Sequence, residues 1–127
     1  MSSRLALSIG AAAAAIFGLL LLALPAQMLA GFGLDTPNAA LVVSRDVGVT
    51  LLGLAVINWL ARDATGAVVD ALLLGNLTVQ VLEFVVNGVE ILTGALPGAA
   101  APGLLIHIIL GAIFVLALRR APERMAA

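Results

Sequence analysis

Residues 5–24 read LALSIGAAAAAIFGLLLLAL, twenty positions without a charge, and the run stops at Pro25. A helix rises ~1.5 Å per residue, so this run matches the ~30 Å hydrocarbon core of a bilayer. Three further apolar stretches come after it, at about 39–61, 67–92 and 103–118. The segments between them, GFGLDTP, RDATG and LTGALPGAAAPG, are rich in turn formers. Thr36 is placed to N-cap the second stretch, with Pro37 in its first turn. Four spans joined by short connections predict an all-α integral membrane protein, an up-down four-helix bundle forming one domain over residues 1–127.

Composition agrees. Hydrophobic residues make up 63% of the chain and charged residues 10%. A water-soluble domain is closer to half apolar and a quarter charged, because charges must cover its surface. With no Cys there is no disulfide framework, thiolate chemistry or iron–sulfur cluster. With no Lys and no basic run, nucleic-acid binding has nothing to rest on. The first apolar run exceeds the ~7–15 residues of a signal-peptide core and no A-x-A site comes after it, so it reads as a retained span. Arg4, Arg62, Arg119, Arg120 and Arg124 flank spans on one side, whereas the opposite loops, 26–38 and 93–102, hold no Arg. By the positive-inside rule both termini are cytoplasmic, in what reads as a bacterial inner membrane.

The third span breaks the apolar pattern. NLTVQVLEFVVNGVE, residues 76–90, carries Asn76, Gln80, Glu83, Asn87 and Glu90. At about 100° per residue these five fall within an arc of roughly 80°. An ionised carboxylate facing hydrocarbon costs at least ~2.5 kcal/mol, so the stripe must face the bundle interior, a water-filled cavity or another subunit. If each span is centred on the bilayer midplane, Gln80 lies near the centre and Glu83 about one turn outward. On the same assumption Arg45 and Asp46 lie ~6–8 Å and His107 ~5 Å outside the midplane. Arg45 stays charged at any relevant pH, so a buried Arg45 needs a carboxylate. Asp46 is adjacent and points about 100° away, which makes Glu83 the expected partner across the helix interface. Gln80, Asn87 and His107 are available for the remaining donors and acceptors. Glu90 reads as interfacial, and Asn58 and Trp59 as residues of the cytoplasmic interface. Such a cluster can simply hold helices together, at ~0.6 kcal/mol per contact. Intramembrane ionisable groups are nevertheless functional by default, and more polar groups gather here than one charge pair requires. The expected ligand-binding set is therefore Arg45, Asp46, Gln80, Glu83, Asn87 and His107, lining a pocket open to the outer face.

Several chemistries are excluded. There is no pair of Glu-x-x-His motifs for a di-iron site. One His cannot supply bis-His haem ligation, and no phosphate-binding loop or nucleophile elbow is present. No metal or cofactor is expected. SRDVGVTLLGLAVINWLARD, residues 44–63, resembles the second helix of small bacterial four-helix membrane proteins of the DoxX-like kind. The resemblance implies an integral membrane protein, sometimes a subunit associated with redox enzymes, and transfers no catalytic residue.

Three functions remain open. The first is a binding or accessory subunit for a lipophilic molecule with a polar head, quinone- or lipid-like. The second is a small membrane enzyme using Glu83, Asp46 or His107 as acid or base on a hydrophobic substrate. The third is a proton or solute pathway, which ranks lowest because the inner half of the bundle offers only Asp70 and Asn76. The expected surroundings are lipid, a lipophilic small molecule, and a second copy or another membrane protein.

Overall fold

A computed structural model describes residues 1–119. Arg120 and Arg124, on which the expected orientation partly rests, lie outside them. Among the described residues there are five α-helices and no strand: α1 (Ser3–Ala23), α2 (Pro25–Gly31), α3 (Asn38–Leu60), α4 (Ala67–Thr93) and α5 (Pro102–Leu118). A 3-10 turn, Gly98–Ala100, leads into α5. Four segments are long and apolar enough to cross a membrane: Ser3–Ala23, Asn38–Leu60, Ala67–Thr93 and Gly98–Leu118.

The helix ends obey local chemistry. The Ser2 hydroxyl accepts a hydrogen bond from the Leu5 N–H at 3.2 Å and caps α1. Pro25 has no N–H to continue α1, but its fixed φ suits a first helical position, and it starts α2. The sequence pattern places residues 26–31 in a loop, whereas they are helical. AQMLAG is made mostly of good helix formers, but so short a helix shows no readable periodicity. Thr36 does not cap α3: Pro37 occupies the N-cap and makes no side-chain capping bond. Gly66 precedes α4 at φ 64 and ψ −149, a conformation open essentially to glycine alone.

The helices pack chiefly as two pairs, α1 with α3 and α4 with α5. The first pair is close because small residues meet. A Cβ added to Gly18 would lie 2.9 Å from the Gly48 carbonyl oxygen, and one added to Gly48 would lie 2.8 Å from that of Gly18. Ser44 and Ala55 are buried along the same side of α3, as are Ala11 and Ala14 on α1. The two pairs join through a cluster of Ala6 and Leu7 (α1), Val69 and Leu73 (α4), and Phe114 and Ala117 (α5). The Phe114 ring sits against Gly10, where a Cβ would lie 2.8 Å from its Cζ atom. Arg4 Nε is 3.2 Å from Asp63 Oδ1, so the start of α1 lies beside the turn after α3. Arg62 donates to the Trp59 carbonyl and stacks on its ring, 3.8 Å from the centroid.

The exterior is far more apolar than that of a water-soluble domain, and polar residues share the interior. Asn58 is 0% exposed while Leu60 is 75% and Leu92 88% exposed. Large apolar side chains cover the outside, and small or polar residues fill much of the inside.

The Gly18–Gly48 contact is testable. Gly48→Leu forces the α1 and α3 backbones apart and should cost about 1–3 kcal/mol or more, seen as a lower Tm in detergent. At Gly75 on α4, an added Cβ would meet nothing within 4 Å. Gly75→Ala should therefore be neutral or stabilising, by about 0.5–1 kcal/mol.

Candidate functional site

Between the two helix pairs lies a cavity of about 270 Å³. Its polar wall comes from α4, where Asn76, Gln80, Glu83 and Asn87 line it, and from His107 on α5. The remaining walls are apolar: Ala13 and Phe17 of α1, Leu51 and Leu54 of α3, and Ile106 of α5. Gly10, Asn76 and Phe114 lie toward one end, and Met28 and Phe32, on and just after α2, toward the other.

The polar wall is held by carboxamides. Asn58 Nδ2 donates to Asn76 Oδ1 and Asn76 Nδ2 donates to Asn58 Oδ1, each at 2.8 Å. Asn76 Nδ2 also donates to the Leu72 carbonyl at 2.8 Å. His107 Nδ1 is 2.9 Å from Gln80 Oε1, an oxygen that can only accept, so Nδ1 carries the proton in this arrangement. A neutral His107 then presents Nε2 as an acceptor. Further along α4, Asn87 Nδ2 donates to Glu83 Oε2 at 3.4 Å, one turn away on the same helix. No buried side-chain nitrogen or oxygen among the described residues lacks a partner. Among those residues no three His, Asp or Glu side chains come together, so the cavity presents no three-ligand metal set.

The structure brings Gln80, Glu83, Asn87 and His107 to one cavity and leaves Arg45 and Asp46 out of its lining. Both are exposed on the outer side of α3. The expected Arg45–Glu83 pair is not formed: among the described residues the ion pairs are Arg4–Asp63 and Arg62–Asp63. Two physical reasons account for this. Close packing on α1 requires the small side of α3, and turning Ser44 and Gly48 inward puts Arg45 and Asp46 outward. The axial positions also differ. Counted along each axis from the Asn58–Asn76 bond, Glu83 is about 10 Å away and Arg45 about 20 Å. Pairing them presumes that the helices share a midpoint, and they do not. Glu90 is half-buried and off the cavity lining.

Asn58 has a different role from the interfacial one its position near a helix end suggests. It is fully buried and joins α3 to α4, rather than lying at an interface with water. The available signal is its spacing: ten residues after Gly48 and fourteen after Ser44, it falls near the inward side of α3. No protein-family model matches the chain, and no curated protein or solved structure gives a match.

The amide pair makes a direct prediction. Asn58→Ala leaves the Asn76 carboxamide short of a partner and should cost about 1–3 kcal/mol. If the two residues act as one unit, the double change Asn58→Ala with Asn76→Ala costs clearly less than the sum of the single changes in a thermal or denaturant cycle.

Proposed function

We propose that the chain is an integral membrane protein that holds a lipophilic molecule by its polar head, as a binding or accessory subunit. The carrying observation is the two-sided cavity, with polar groups from α4 and His107 on one wall and apolar side chains on the others. Ligand sites of this kind place a few convergent polar groups in an otherwise apolar cleft. An apolar cavity of ~150 Å³ accepts benzene. At about 270 Å³ the present one takes a larger ring or a compact head group, with its apolar remainder against Phe17, Leu51 and Leu54.

In this reading the four long segments form an up-down bundle across a bacterial inner membrane. The exposed Leu and Val side chains, costly in water, are then solvated by lipid. Arg4, Arg62 and Arg119 mark the cytoplasmic side, and the cavity lies toward the outer half. The DoxX-like resemblance of residues 44–63 belongs to the same reading. A second reading, acid/base catalysis on a hydrophobic substrate, is favoured by one observation. Gln80 fixes the His107 ring, and its free nitrogen and the Glu83 carboxylate belong to the same cavity. A proton or solute pathway is disfavoured, because beyond Phe114 the interior is packed with Ala6, Leu7, Val69, Leu73 and Ala117.

The ligand is tested by purifying the full chain from its native membranes in mild detergent and identifying co-purifying lipophilic molecules by mass spectrometry. Ala13→Phe fills the cavity and should remove that molecule while helical content stays native. His107→Gln should weaken its retention by about tenfold, the worth of one good polar contact at ~1.4 kcal/mol. Retention of the same molecule by the filled variant refutes the cavity as its site.

Topology is tested separately by labelling in intact cells. A cysteine introduced by Asp35→Cys should react with an impermeant reagent from outside, and one introduced by Thr65→Cys should be protected. The reverse pattern inverts the orientation.

A further inference from the structure

Arg45 and Asp46 have no ion-pair partner among the described residues, yet they lie well inside a span of 23 residues. Counting from Asn38, they are about 10 and 12 Å along a helix of ~34 Å. If α3 crosses the membrane, as in the function proposed above, both charges are within the hydrocarbon. An Arg side chain can snorkel toward the head groups, but an Asp side chain is too short to do so.

The surroundings of these charges are specific. At about 100° per residue, Arg45, Val56, Val49, Val42, Leu60, Gly53 and Asp46 fall, in that angular order, within a stripe of ~100°. Every one of them is exposed. α1 packs on the side of Gly48 and Ala55, and the cavity lies on the side of Leu51 and Leu54; Val56 and Leu60 border a groove beside α1, and the rest of the stripe has no partner among the described residues. Gly53, within the stripe, has nothing within 4 Å of where a Cβ would be. A glycine in a helix interior costs about 0.5–1 kcal/mol relative to alanine, and nothing among the described residues uses the space it leaves.

The geometry points to a second copy of this chain, docked through the same stripe about a two-fold axis along the membrane normal. Copies inserted with the same topology bring their α3 helices together in parallel. A two-fold rotation then puts the left flank of one stripe against the right flank of the other. Arg45 is on one flank and Asp46 on the other, about 1.5 Å apart along the axis. Each Arg45 therefore faces the Asp46 of the other copy, and the two pairs form at once. The interface is isologous and neutralises all four charges. Val49 lies at the middle, and one turn further on the small Gly53 lets the backbones approach. A partner of different sequence would need its own Asp and Arg at the same level, whereas this stripe already carries its complement.

The test uses the full chain in lipid vesicles. The chain has no Cys of its own, so Val49→Cys introduces a single thiol near the two-fold axis. Oxidation should yield a disulfide-linked dimer as the main product, and Leu105→Cys, on an exposed face of α5, should yield none. In the Val49→Cys background, Arg45→Asp puts like charges together and should lower the linked fraction about tenfold or more. Adding Asp46→Arg to it exchanges the two charges and should restore linkage. Gly53→Phe should abolish linkage by bulk alone, with helical content checked by circular dichroism in each variant. Equal linkage at both cysteine positions, indifference to Arg45→Asp, failure of the exchanged pair to restore it, or a monomeric chain at high protein-to-lipid ratio overturns the dimer. None of these outcomes bears on the cavity, whose test is retention of a ligand.

Discussion

The approach of α1 to α3 at Gly18 and Gly48 governs the arrangement of the other groups. Two helix backbones come so close there that even a methyl group would have to displace a carbonyl. That contact fixes the rotation of α3 about its own axis. With Gly48 and Ala55 turned toward α1, Leu51 and Leu54 face the cavity and Arg45 and Asp46 face away. A charge pair that looks destined for the interior is thus turned out by the packing of glycines. Where lipid replaces water, apolar surface alone does not drive helices together, so van der Waals packing of small residues becomes decisive.

The polar groups do a different task. Asn58 and Asn76 exchange two hydrogen bonds across α3 and α4, and Gln80 and His107 join α4 to α5. Such contacts are modest in energy, but an unpaired carboxamide in an apolar interior is expensive. They therefore constrain how the helices can sit more than they add stability. Beyond them toward α2 the helix pairs are separated by the cavity, and among the described residues the Glu83 and Asn87 side chains bond to each other across one helical turn. The same α4 stripe is mortar at its Asn76 end and a candidate binding wall further along.

Much of the secondary structure was legible in the sequence, because a run of twenty apolar residues has few other uses than a long helix. The stripe on α4 was legible too, since helical periodicity alone puts residues 76, 80, 83 and 87 on one face. α2 was not, because seven residues carry no periodic signal. The buried role of Asn58 was not, because nearness to a helix end suggested contact with water, whereas packing of the neighbouring helices buries it completely.

Which long helices form, roughly how long they are and which face of α4 is polar can be read from residues a few positions apart in the chain. Which faces meet, and at what height, is a matter of tertiary packing. Periodicity fixes angles within a helix and leaves the rotation and the axial offset between helices free. Those two quantities are set by contacts between distant residues, the glycines of α1 and α3 and the paired carboxamides of α3 and α4. An offset of about 10 Å between Arg45 and Glu83 separates two charges that a common midplane would have put side by side.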